Sequence, residues 1–206
     1  MSIVTIGVVI IAIFSITSHE AAHGYVADRL GDPTAREHGR LTLNPLPHID
    51  PFFTILLPLV LILSGSPFIF GGAKPVPINT SRLRHPRRDA ALVGAAGPAA
   101  NIAIAAALTV VFALANGGGM AMEADLMRIA AIGIFVNALL AVFNLIPIPP
   151  LDGSAVIERL LPRAWWPRYL QFRQYSMGIL LILVFLLPRF LSTFLNFFVD
   201  HWLRFL

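Results

Sequence analysis

The sequence contains no cysteine. That excludes disulfides and thiolate ligands, so any metal site must be built from imidazole and carboxylate. Charge is scarce as well, at 13% of the 206 residues, where soluble domains carry about 25%. Hydrophobic residues make up 57%, and they gather in runs that match the roughly 20 helical residues needed to cross a bilayer. This pattern excludes an ordinary soluble domain and points to a polytopic membrane protein. Residues 1–18 lack the basic start and small-x-small site of a cleavable signal peptide, and they read as a retained helix. Internal repeats and low-complexity linkers are absent.

Apolar runs cover Ile3 to about Ala27, then 51–70, 90–115, 127–146 and roughly 174–199. Between them, 28–50, 71–88 and 152–173 are polar, and 116–126 is a short loop with Gly117, Gly118 and Gly119. The sequence pI of about 10.3 has no basic stripe interleaved with aromatics behind it, which sets nucleic acid aside. The basic residues instead mark loops. Arg29, Arg36 and Arg40 lie in 28–50, and Lys74, Arg82, Arg84, Arg87 and Arg88 in 71–88. Arg159, Arg163, Arg168 and Arg173 lie in 152–173, and 116–126 has none. The positive-inside rule places the three basic segments in the cytoplasm and 116–126 outside. Segment 51–70 then starts and ends on one side. With about 14 apolar residues before Ser64-Gly65-Ser66-Pro67, it suits a re-entrant hairpin rather than a crossing. Trp165 and Trp166 read as interface anchors. His38 and His85 read as surface residues, and His201 beside Trp202 as interfacial. Region 188–206 either continues the last span or lies on the membrane as an amphipathic helix.

His19-Glu20-Ala21-Ala22-His23 is a His-Glu-x-x-His motif. Residues four apart share a helix face, so both imidazoles reach one ion, and Glu20 beside them is placed to take a proton from water. Zinc brings the pKa of a bound water towards about 7 and polarises a carbonyl. The sixteen residues from Ile3 to Ser18 rise about 24 Å at 1.5 Å each, which sets the motif near one boundary of a hydrocarbon core of about 30 Å. Ionisable groups at such depth are costly and mark function.

A catalytic zinc takes a third protein ligand and keeps one position open. Asp152 is the leading candidate. It follows Asn144-Leu145-Ile146-Pro147-Ile148-Pro149-Pro150-Leu151, where the prolines end a helix and leave an unwound stretch at the depth of His23. Asp50 and His48 compete for the position, with a supporting or gating role as their other reading.

His19-Glu20-x-x-His23 and Asn144-x-x-Pro147-x-Pro149-x-Leu151-Asp152-Gly153 resemble the site-2 protease family of intramembrane metalloproteases. Gly71-Gly72-Ala73-Lys74-Pro75-Val76-Pro77 and Ala96-Gly97-Pro98-Ala99-Ala100-Asn101 add to the resemblance, and the four motifs stand in order over 19–153. It implies a zinc ion held by His19, His23 and Asp152, with Glu20 as catalytic base. It implies that Asn144 holds substrate or steadies the tetrahedral intermediate. It also implies substrates that are transmembrane segments of other membrane proteins, cut near the cytoplasmic side of the cell membrane, as in regulated intramembrane proteolysis. An extended 71–77 would receive unwound substrate by strand addition. Gly97, Pro98 and Asn101 read as an interhelical contact with Asn101 as its hydrogen bond.

The expected fold is all-α and polytopic, with about four to five transmembrane helices plus a re-entrant segment around an intramembrane zinc site. One domain spans 1–206, with a core of 1–153 and a C-terminal helical region of 154–206. No room is left for the PDZ-like or nucleotide-sensing domain that larger family members append. Two rival functions compete. A catalytically silent relative would bind transmembrane partners, but one commonly loses a member of the His19, Glu20, His23 and Asp152 set. A metal or proton transporter would need polar groups through the whole bilayer, and 3–15 and 102–115 are almost wholly apolar.

Overall fold

The computed structural model describes residues 2–64, 71–117 and 122–186, together with Thr193 and Phe197. Among them every regular element is helical. Helix α1 spans Ile3–Arg29, with the Ser2 side chain accepting from the Thr5 amide at its start. The short α2 covers Thr34–Glu37 and α3 covers Leu57–Leu63. Helix α4 runs Pro86–Asn116 and α5 runs Ala124–Asn144. Helix α6 spans Gly153–Leu160 and α7 spans Trp166–Leu186. Helices α1, α4 and α5 are long and apolar enough to cross a membrane.

These three helices form the bundle that carries the site. Gly7 of α1 meets Ile129 near the start of α5, and Ile11 meets Gly133 one turn further on. Ser15 then hydrogen-bonds Asn137, so α1 and α5 run parallel. Helix α4 lies antiparallel to both, since Leu108 meets Gly133 while Val93 and Gly97 meet His23 and His19. Each helix ends for a local reason. Pro86 stands in the first turn of α4, where a missing N–H costs nothing, and the Asp89 carboxylate accepts from the His85 amide. Pro147, Pro149 and Pro150 cannot donate to a continuing helix, so α5 stops at Asn144.

The basic segments expected in the cytoplasm meet at one end of this bundle. Arg84 N–H donates to Leu30 O at 3.0 Å, a turn that Gly31 permits with its φ of 109°. Arg87 Nη2 donates to Glu158 O at 2.9 Å and Leu161 O at 2.7 Å, which ties the start of α4 to the end of α6. Polar residues 152–173 open the region 154–206 that the sequence reads as helical. They fold into α6 and the first turns of α7, because Arg168 and Arg173 stand on a helix continuous with the apolar run that follows.

The chain before and after segment 51–70 comes together. A π-helical stretch over Pro51–Leu56 starts it, with Asp50 Oδ1 accepting from the Phe52 amide at 2.9 Å and the Phe53 amide at 2.8 Å. The returning chain donates from Gly72 N–H to Phe53 O at 3.0 Å and from Lys74 N–H to His48 O at 2.8 Å. The two ends thus lie side by side, as a hairpin requires. The tip at 65–70, the glycines at 118 and 119, and 188–206 apart from Thr193 and Phe197 lie outside the described residues, as does the expected position of His201.

Asp32 fastens the loop after α1 to the chain before α4. It is fully buried. One oxygen accepts from the Thr34 amide at 3.1 Å and from the Thr34 hydroxyl. The other accepts from the Asn79 amide at 2.6 Å. Burial raises its pKa, but these donors outweigh burial and hold the carboxyl below its ordinary 3.8. A depressed folded-state pKa stabilises the fold above the unfolded value, and that contribution is lost as pH falls through the folded value. We expect Asp32→Asn to lower the thermal unfolding midpoint in detergent by about 5 °C at neutral pH. The gap to wild type should close below the ordinary carboxylate value of 3.8, because protonated Asp32 then resembles Asn.

Candidate active site

His19 and His23 project from one face of α1 towards α4, and Asp152 reaches them from the turn between α5 and α6. His19 Nε2 lies 3.0 Å from Asp152 Oδ2, and His23 Nε2 lies 3.3 Å from Asp152 Oδ1. The two Nε2 atoms are 3.1 Å apart. Both imidazoles are buried. Among the described residues these three form a group whose ligand atoms all fall within 4.8 Å of one another. Asp50 and His48 are not part of it. Asp50 caps the stretch at 51–56, and buried His48 bonds Thr42 O at 3.1 Å through Nε2.

The far side of each ring decides what the near side offers. His23 Nδ1 is 2.7 Å from Val93 O. A carbonyl only accepts, so Nδ1 carries the proton and Nε2 keeps its lone pair. His19 Nδ1 is 2.6 Å from Asn101 Oδ1, which assigns its proton in the same way. Two lone pairs therefore face a carboxylate, and Asp152 Oδ2 has no hydrogen-bond partner although it is buried. Such an arrangement is repulsive unless a cation sits between the groups. The spacing suits zinc, whose tetrahedral ligands at roughly 2.0–2.1 Å lie about 3.4 Å from each other. Nitrogen and carboxylate donors with no sulfur fit the same ion.

Gly97 makes room for the group. A Cβ there would stand 2.4 Å from His23 Nε2 and 2.6 Å from His19 Nε2, so only glycine lets α4 approach α1 at this level. Gly94 does the same one turn earlier, where a Cβ would meet Asp152 O at 2.9 Å. The group opens on a cavity of about 560 Å³ whose wall includes Glu20, Val76, Asn144 and Glu158. Glu20 Oε2 accepts from Val76 N–H at 2.9 Å. Asn144 Nδ2 donates back to Leu140 O at 3.0 Å, and its side chain still borders the cavity.

Sequence reasoning missed several contributors. Asn101 does bridge helices, as expected, but it also carries His19. Asn137 escaped notice, although an Asn in the middle of the apolar run of α5 is itself a signal. Buried Arg40 had been counted only as a loop charge. Its Nη2 donates to Lys74 O at 2.6 Å and lies 3.4 Å from His48 Nδ1. It thereby holds the stretch of chain that delivers the Val76 amide to Glu20.

The chain is similar to known proteins. Residues 111–187 match the profile of peptidase family M50; that stretch holds Asn144 and Asp152. YwhC of Bacillus subtilis (strain 168), named as a candidate zinc metalloprotease, is 41% identical over 179 residues, or 85% of this chain and 78% of its own length. Rip2 of Mycobacterium tuberculosis (strain ATCC 25618 / H37Rv), named likewise, is 33% identical over 192 residues, or 92% of this chain and 69% of its own. No solved structure matches the chain.

Gly97→Ala places a methyl group where the imidazoles stand. We expect it to weaken zinc binding by more than about 100-fold, measured by chelator competition, while Gly178→Ala, which meets nothing within 4 Å, leaves binding unchanged. With relatives of this identity along most of its length, the chain belongs to peptidase family M50, the site-2 protease family, and is a membrane zinc metalloprotease.

Proposed function

We propose that this protease hydrolyses peptide bonds inside transmembrane segments of other membrane proteins, with His19, His23 and Asp152 holding the zinc ion and Glu20 as general base. The observation that carries the reading is the meeting of Glu20, the three donors and the non-helical chain at Pro75 and Val76 at one cavity. Zinc bound there supplies the acidity that activates a water and the positive charge that polarises a carbonyl. Glu20 takes the proton from the water and passes it to the nitrogen of the departing amine. The Val76 amide holds one Glu20 oxygen, which leaves the other for the proton. Asn144 borders the cavity and is placed to hold the substrate backbone or steady the tetrahedral intermediate.

A helix hides its carbonyls in hydrogen bonds and must unwind before it is cut. Residues 71–78 form no helix, and Pro75, Val76 and Ile78 line the cavity, with Val76 buried beside Glu20; in this reading they offer an edge for strand addition by the unwound segment. Depth supports an intramembrane substrate, since His19 and His23 lie within a helix long and apolar enough to cross the bilayer. The gathering of Arg29, Arg84, Arg87 and Arg159 at the same end supports a multi-pass protein of the cell membrane whose site faces the cytoplasm. Residues 1–206 act as one domain in this reading, and release of membrane-tethered regulators is the setting in which such cleavage serves.

Two measurements test the roles. Glu20→Gln should retain zinc and lower cleavage of a reporter transmembrane segment in proteoliposomes by at least about 100-fold. Undiminished cleavage would sink the mechanism. Asp152→Ala should lose zinc whereas Asp50→Ala keeps it, and full zinc retention by Asp152→Ala would remove Asp152 from the ligand set.

A further inference from the structure

Ser15, Asn101 and Asn137 come from α1, α4 and α5, and all three are fully buried. Each is a polar side chain within a helix that is long and apolar enough to cross the membrane, where an unpaired polar group is costly. Their hydrogen bonds can be assigned without ambiguity, because the outer partners are carbonyls, which only accept. Ser15 Oγ gives its one proton to Ile11 O at 2.7 Å. It must therefore accept from Asn137 Nδ2, 2.9 Å away. The second Asn137 Nδ2 proton goes to Gly133 O at 2.9 Å. Asn137 Oδ1 is thereby turned towards Asn101 Nδ2 at 3.0 Å. That nitrogen also reaches Ser15 O at 3.4 Å, so Asn101 Oδ1 has to face His19 Nδ1. Reversing either amide would set donor against donor or acceptor against acceptor.

The chain of bonds ends on the tautomer of His19. With Asn101 held as an acceptor, Nδ1 keeps the proton and Nε2 points its lone pair at Asp152. His23 needs no such arrangement, because its Nδ1 faces the backbone carbonyl of Val93, which cannot be reversed. His19 is the ligand whose state depends on side chains.

We propose that Asn137 and Ser15 are positioning residues for the zinc site: neither side chain hydrogen-bonds the His19 ring or lines the cavity, and they set zinc affinity by fixing the Asn101 amide that orients His19. This rests on His19 being a zinc ligand. Removing an outer partner of a metal-bound histidine typically costs 10- to 100-fold in affinity, and the proposal extends that effect one residue further out.

The test is zinc affinity of the purified full chain in detergent, by chelator competition, with the unfolding midpoint of the zinc-free protein recorded beside it. Asn101→Leu is expected to weaken binding by about 100-fold and Asn137→Leu by about 10-fold. The double variant should be no weaker than Asn101→Leu alone, because Asn137 acts through Asn101. Asn137→Asp keeps an acceptor for Asn101 and, when protonated, a donor for Ser15, so its affinity should return to within about three-fold of wild type. A general loosening of the bundle would instead lower the zinc-free midpoint in step with affinity, multiply the two losses, and give no rescue by Asp. Wild-type affinity in Asn137→Leu, or losses that multiply in the double variant, would overturn the proposal. His19→Ala separates the two layers: zinc retained there would show that the ligand assignment itself has failed.

Discussion

A polar side chain inside an apolar bundle must be hydrogen-bonded or must hold an ion, and the architecture around α1 follows from that constraint. His19, His23 and Asp152 have no proton to share on the sides that face each other. Their other sides are committed to Asn101, to Val93 O and to the turn that carries Asp152. The cost of burying this much polar surface is offset only when every donor and acceptor has a partner. Antiparallel α4 is what makes that possible, because it presents Val93, Gly97 and Asn101 on successive turns to α1. Glycine at 97 admits the rings, the Val93 carbonyl takes one Nδ1 proton, and Asn101 takes the other.

The same helix sets the reach of the remaining parts. Parallel α1 and α5 bring the proline-broken end of α5 beside the His-Glu-x-x-His turn, so Asp152 needs only the short stretch after Asn144 to arrive. Gly94 lets that stretch lie against α4. On the opposite side of the cavity the chain between the hairpin and α4 is held from outside the bundle, by Arg40 on the carbonyl of Lys74 and by Asp32 on the amide of Asn79. Between these two clamps lies Val76, whose amide meets Glu20. Two buried charges thus serve to place one backbone N–H beside the cavity.

Much of this was legible from residue order. The four-residue spacing of His19 and His23 has one helical reading, and proline-rich 147–150 can only be a break. The scarcity of charge and the lengths of the apolar runs were enough to name α1, α4 and α5 as spans. Basic loops with one loop free of Lys and Arg between them were enough to predict a hairpin at 51–70, and the chain at its two ends does lie together. Asp152 stood ahead of Asp50 and His48 for the same kind of reason, since it follows the break at the depth of His23.

Other features depend on atoms distant in the chain, and no local pattern encodes them. Ser15, Asn101 and Asn137 are polar residues set in three separate apolar runs, and only helix packing turns them into one network with a direction. Arg40 looks like any loop cation until it is found buried against the carbonyls of Lys74 and Pro75. The sequence marked 154–206 as helical but not where α7 starts, at Trp166, because charge marks a membrane boundary but does not stop a helix. Periodicity and composition report how a segment meets its solvent, and so they disclose spans, breaks and the face that carries the motif. Which buried donor finds which acceptor is settled by the crossing of three helices, and that crossing sets the tautomer of His19.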